Sequence, residues 1–203
     1  MNDDPQLTQA LQLLGEVLEQ RGLAYDLVVI GGGALLLQNL IRRPTHDLDA
    51  VARVEGKKWV TAKPLPAPLV TAIREVADAL GLEREPRDEK DWLNGGPAML
   101  RGLGLPPGFA KRTTKRHFGP LTIRVASRQD LITLKLWAAS DSGRGARRAV
   151  DISDLRELAV TTAELEIAAR WCVRKDGRAE FATTDLAPVI TALGFDPTEV
   201  IHE

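Results

Sequence analysis

The sequence has a single cysteine, Cys172, in 203 residues. That excludes an intrachain disulfide and any multi-cysteine zinc site. It also lacks a run of about 18 apolar residues of the kind a membrane-crossing helix needs. The segment from Leu27 to Leu37 is apolar apart from its glycines, and Gln38, Asn39 and Arg42 close it. The first residues, Met1-Asn2-Asp3-Asp4, are acidic where a signal peptide would be basic. These absences lead us to expect a soluble, cytoplasmic protein with no membrane partner. Aromatic residues are few, with four Trp, one Tyr and four Phe, so no stacking surface for single-stranded bases is expected. Structured RNA held by its backbone is more compatible. Acidic residues are missing locally: from Trp92 to Gln129 there is no Asp or Glu, while Arg101, Lys111, Arg112, Lys115, Arg116, Arg124 and Arg128 all fall there. The whole-chain charge of −1 hides this stretch, whose one-sign field suits a phosphate-rich ligand.

What is present fits one good-sized domain, or a domain with a small appendage, able to bury roughly two-thirds of its unfolded surface. Leu7, Leu11, Leu14 and Leu18 predict a helix over about 5–21, stopped by Gly22. Asp26 to Ile30 reads as a buried strand ending at Gly31-Gly32-Gly33, and Ala34 to Ile41 as a short helix. Leu48 to Val54 reads as a second strand, 57–68 as a loop with three prolines, and Pro68 to Leu82 as a helix. The stretch 83–110 gives no clear pattern. Thr113–Phe118 and Leu121–Ala126 flank Gly119-Pro120 as a strand pair. Beyond Ser127 every predicted element is helical. One helix carries Leu131, Leu134 and Trp137; a second, over 147–160, has Val150, Leu155 and Leu158 as its apolar stripe. A third opens with a Thr161/Glu164 capping box, and the last runs from Thr184 to Gly194. Cys172, beside Trp171, is expected in the core.

The chemistry concentrates in Val28-Val29-Ile30-Gly31-Gly32-Gly33, followed after thirteen residues by Asp47-Leu48-Asp49. A strand ending in glycines lets backbone approach a triphosphate, and the next helix offers N–H groups to the same phosphates. Asp47 and Asp49, two apart on a strand, point to one side. Paired carboxylates beside a phosphate cradle are what Mg²⁺ and a nucleoside triphosphate need. Each piece alone is weak, since a glycine triplet is usually a turn and an Asp-x-Asp usually surface charge. His46 reads as a local hydrogen-bonding residue rather than a base.

This segment resembles the minimal nucleotidyltransferase motif of the polymerase-beta-like superfamily, and looks most like the branch of AbiE-type and MenT-type toxins. Arg43-Pro44-Thr45-His46-Asp47-Leu48-Asp49 fits that branch's Arg-x-Thr-x-Asp-x-Asp form. A second motif region is matched by Lys135, then Arg144 and Arg147, then Asp151-Ile152-Ser153-Asp154-Leu155. The resemblance implies an α+β nucleotidyltransferase core over 1–127, a mixed sheet with flanking helices, and a helical C-terminal subdomain over 128–203. It implies that Gly32 and Gly33 hold triphosphate, Asp47 and Asp49 bind Mg²⁺, and Lys135, Arg144 and Arg147 meet phosphate. Asp151 would be a further functional acid, with Asp154 beside it at i+3. The strand Leu121-Thr122-Ile123-Arg124-Val125 lacks the third metal carboxylate of many relatives.

The implied reaction is transfer of a nucleoside monophosphate from an NTP to the 3′ end of tRNA, blocking translation, under control of a cognate antitoxin. Lys111, Arg112, Lys115 and Arg116 offer an RNA track. Two alternatives stand beside it: transfer to a protein or small molecule, and an inactive nucleotidyltransferase fold that only binds. Lys135 is expected on exposed helix surface, where replacement hardly moves stability.

Overall fold

The computed structural model describes residues 5–45, 47–82, 91–96 and 104–202. The chain divides into two compact units, Met1–Ser127 and Arg128–Glu203. His46 and Arg101 lie outside the described residues.

The first unit is a mixed sheet with helices. Its strands are β1 (Tyr25–Ile30), β2 (Leu48–Glu55), β3 (Lys58–Thr61), β4 (Leu93–Gly95), β5 (Thr114–Phe118) and β6 (Leu121–Val125). The order is β3-β2-β1-β6-β5, with β4 also paired to β2. β1 is central because its run Leu27 to Ile30 is buried on both faces, as a strand covered on both sides must be. It runs parallel to β6 and antiparallel to β2. Helix α1 (Pro5–Gln20) buries Leu11, Leu14 and Leu18 at the spacing the sequence shows. Gly15 lets it come close to β5: a Cβ there would lie 2.2 Å from the Phe118 carbonyl oxygen. Helix α3 (Ala67–Leu80) buries Leu69, Ile73 and Val76 and ends at Gly81, φ 63°.

Three expectations change here. Helix α2 (Gly31–Leu37) starts at the first glycine rather than after the third, and ends before Ile41 at the Gln38–Asn39 turn. The expected loop 57–68 contains β3, which the opposing Ala52 to Glu55 of β2 holds in register. Trp59 of β3 then meets Phe109 edge-on at 6.0 Å; Phe109 starts the short helix α4 (Phe109–Arg112). The unread middle yields β4, held by parallel pairing to β2.

The second unit is helical among its described residues: α5 (Arg128–Ala139), a 3₁₀ turn Ser142–Arg144, α6 (Ala146–Glu157), α7 (Thr162–Asp176), a π turn Ala182–Leu186, α8 (Ala187–Ala192) and α9 (Pro197–Val200). A mixed sheet with flanking helices, then a helical unit, is the α+β architecture expected. Thr161 and Glu164 form the reciprocal capping box. Trp137 packs against Trp171 at 5.8 Å and Phe181 at 5.6 Å. Cys172 is buried, and that burial pushes its thiol pKa up. The predicted stripe of α6 is corrected at one position. Val150 is 41% exposed, and the buried face holds Asp151, Asp154 and Leu155 instead.

Candidate active site

The end of β1 passes directly into the glycines of α2, and Ile30 pairs with Asp49 across to β2. That register sets the Asp49 carboxylate beside the glycine turn. The three glycines make room for three different neighbours. At Gly31, φ 79°, a Cβ would lie 3.0 Å from Asp49 Oδ2. At Gly32 it would lie 3.0 Å from Arg43 Nη2 and 3.1 Å from Thr45 Oγ1, and at Gly33 2.8 Å from the Asp47 carbonyl oxygen and 2.8 Å from Leu48 Cδ1. The expected role of Gly32 and Gly33 is backbone approach to phosphate. The observed contacts add a second one, because the chain carrying Asp47 and Asp49 lies against the same glycines.

Both aspartates are half-buried, while Leu48 between them is buried. Thr45 donates its hydroxyl to Asp47 Oδ1 at 3.4 Å. On β4, Asn94 stands opposite Asp49. With its amide nitrogen turned toward the acceptors, it donates to Asp49 Oδ1 at 3.1 Å and to the Gly95 carbonyl at 3.3 Å. Sequence reasoning missed Asn94, because a three-residue strand inside an unpatterned stretch carries no periodic signal.

Asp47 and Asp49 are the two carboxylates at the glycine turn. Among the described residues no group of three or more His, Cys, Asp or Glu side chains is placed to hold a metal. On β6, which carries no acid, Arg124 makes a two-bonded ion pair with Asp26 at 2.7 and 2.6 Å. Asp26 in turn holds the Arg124 guanidinium pKa up, chiefly through that hydrogen bonding. Mg²⁺ bound by one or two carboxylates together with substrate phosphates needs no third protein ligand, so Asp47 and Asp49 fit it.

The second motif region closes on itself. Lys135 is buried, not solvated: its Nζ lies 2.7 Å from Asp151 Oδ1 and 2.6 Å from Asp154 Oδ2. The side chains are 10%, 5% and 0% exposed. Asp151 meets both Lys135 and Arg144 inside this cluster. Arg144 Nε approaches Asp151 Oδ2 at 3.2 Å, within ion-pair distance but without hydrogen-bond geometry. Arg147 is exposed on α6. The physical reason for the correction is that α5 packs against both α6 and α7, so the face holding Lys135 is covered.

The basic stretch is partly used up in structure. Arg116 donates to the Leu37 carbonyl and Arg112 to the Pro107 carbonyl at 2.9 Å. Arg128 bonds Glu164 at 2.8 Å. Lys111 and Lys115 are exposed.

The model of the family described as nucleotidyltransferase of unknown function (DUF6036) matches residues 6–166. The chain belongs to that family. The match spans the glycine turn, both aspartates and the Lys135 cluster, and so supports the nucleotidyltransferase part of the resemblance, though not the AbiE or MenT type. An antigenic nucleotidyltransferase-like protein from Paracoccidioides brasiliensis, solved as a crystal structure, is similar over 99% of each chain at 16% identity and a TM-score of 0.47. No curated protein matches the chain. No helix among the described residues is long and apolar enough to cross a membrane.

Proposed function

We propose that this DUF6036 chain transfers a nucleoside monophosphate from an NTP to an acceptor hydroxyl and releases pyrophosphate. The observation that supports it is the half-buried Asp47/Asp49 pair set against Gly31, Gly32 and Gly33. Asp47 and Asp49 would hold Mg²⁺, which when bound neutralises phosphate charge and orients the triphosphate. The new bond joins the acceptor oxygen to the α-phosphorus; the bond from that phosphorus to the β-bridging oxygen breaks, and the hydroxyl proton leaves to solvent. Gly32, with Arg43 and Thr45 packed against it, would present its amide to the phosphate oxygens.

For the acceptor we propose the 3′ end of tRNA, in a cytoplasmic toxin held by an antitoxin, on the strength of the Arg43-x-Thr45-x-Asp47-x-Asp49 resemblance. A second reading, transfer to a protein or small molecule, gains from one observation: Arg112, Arg116, Arg124 and Arg128 all make bonds within the chain. The deciding experiment incubates the protein with each α-labelled NTP and Mg²⁺, first with total tRNA and then with cell protein. Label on tRNA supports the first acceptor, and label on protein the second. Asp49→Ala should transfer nothing while its circular dichroism is unchanged. Transfer by Asp49→Ala at a near wild-type rate would sink the metal assignment, and a wild type that labels nothing would leave only a binding module.

A further inference from the structure

The assigned site leaves one polar side chain unexplained. Asn94 comes from a strand only three residues long, yet parallel pairing to β2 sets it directly opposite Asp49. Its amide reaches Oδ1 of that carboxylate at 3.1 Å. The other oxygen, Oδ2, is the atom that would sit 3.0 Å from a Cβ on Gly31. Packing behind the pair is close: the Gly96 amide donates to the Ala50 carbonyl at 2.6 Å. A Cβ on Gly96 would meet that same carbonyl oxygen at 3.0 Å and Asp49 Cβ at 3.5 Å. One oxygen of Asp49 is thus held by a donor, and the other lies over Gly31. A carboxylate held at one oxygen by Asn94 turns the other toward the glycine turn.

We propose that Asn94 is a positioning residue for the metal-binding carboxylate of Asp49. As a neutral amide beside Asp49, it adds no charge to the site. This inference rests on the proposed metal reading of Asp47 and Asp49. Outer-shell partners of metal ligands typically carry 10- to 100-fold in metal affinity, and Asn94 should act on that scale.

The test uses the full chain and Mn²⁺ alone as probe, followed by electron paramagnetic resonance of the free ion and by melting temperature with and without Mn²⁺. Asn94→Ala should weaken Mn²⁺ binding by about 10-fold or more, with a smaller Mn²⁺-induced rise in melting temperature. Asn94→Asp, which keeps the shape, should do the reverse. Its metal-free form melts lower because two carboxylates now face each other, and Mn²⁺ binds more tightly and restores the loss. Asn94→Asp also serves where Asn94→Ala fails to fold. A merely structural role for Asn94 predicts lower melting temperatures in both variants with Mn²⁺ affinity at the wild-type value, and that result overturns the inference alone. A wild-type chain that binds no Mn²⁺, with Asp49→Ala behaving identically, overturns the parent reading together with it.

Discussion

Lys135→Met removes a charge and keeps most of the side-chain length, and the structure fixes what should follow. The Nζ that disappears touches Asp151 at 2.7 Å and Asp154 at 2.6 Å, and Asp154 is fully buried. Two carboxylates then share a dry site, with Arg144 Nε 3.2 Å from Asp151. Removing one partner of a buried ion pair costs about 3–5 kcal/mol, and Arg144 draws the estimate to the lower end. Against a total stability of about 5–15 kcal/mol that is a large fraction. At about 2–4 °C per kcal/mol for a chain of this size, the melting temperature should fall by roughly 6–12 °C. Adding Asp154→Asn to Lys135→Met should cost less than the two single changes summed, with a coupling of about 1–3 kcal/mol. The assay is a thermal melt followed by circular dichroism, with transfer rates taken well below the lower melting point. A Lys135→Met protein that melts within about 2 °C of wild type, against the scale above, would refute the cluster and return Lys135 to the solvated surface.

Two other outcomes follow from charges of different kinds. Hydrogen bonding from Arg128, with the Thr161 amide, holds the Glu164 carboxyl below its ordinary value of 4.5, so its contribution is present above that value and lost as pH falls through the lowered one. Glu164→Gln, which keeps the capping box, should be less stable than wild type by up to about 1 kcal/mol at pH 7, with the gap closing in acid; urea midpoints give it, and a gap constant from pH 7 to pH 3 refutes the linkage. For the basic stretch, four phosphate contacts by Lys111, Arg112, Lys115 and Arg116 would give a salt slope near −3, and two exposed lysines alone one near −2, at about −0.7 to −0.9 per contact. Because Arg112 and Arg116 bond carbonyls within the chain, tRNA binding should show the shallower slope. Lys111→Ala with Lys115→Ala should abolish it; an unchanged slope in that double variant shows that RNA is held elsewhere.

Elements with a local period were legible. The α1 leucines, the β1 apolar run and the Gly119-Pro120 hairpin declared themselves, because burial repeats every 3.6 or every two residues and turns need special residues. Elements made by distant partners were not. β3 lies among prolines and lysines and exists through its pairing with β2, and β4 has three residues and no period at all. The Asp47/Asp49 side of the site could be read because glycine and carboxylate spacing is local. Asn94 could not, since its relation to Asp49 is a pairing across more than forty positions. Lys135 failed for a related reason. A lysine on an amphipathic helix is ambiguous until the helix that answers its charge is known.

The two carboxylate pairs of this chain show what spacing can and cannot decide. Asp47 and Asp49 are two apart where β2 begins, the first just before the strand and the second on it, and Asp151 and Asp154 are three apart on one helix face. From sequence both are candidate cation holders. The helix pair is buried and already clasps an ammonium at hydrogen-bond distance on one oxygen of each residue. A further divalent ion there would have to displace Lys135 and bury net charge, which is costly in a low-dielectric site. The strand pair is half-buried, lies against three glycines, and has Thr45 and Asn94 as neutral donors at its edges. The cation preference therefore separates on burial and on what each pair already holds, two quantities that only the folded chain supplies. Lys135 and Asp151 tie α5 to α6.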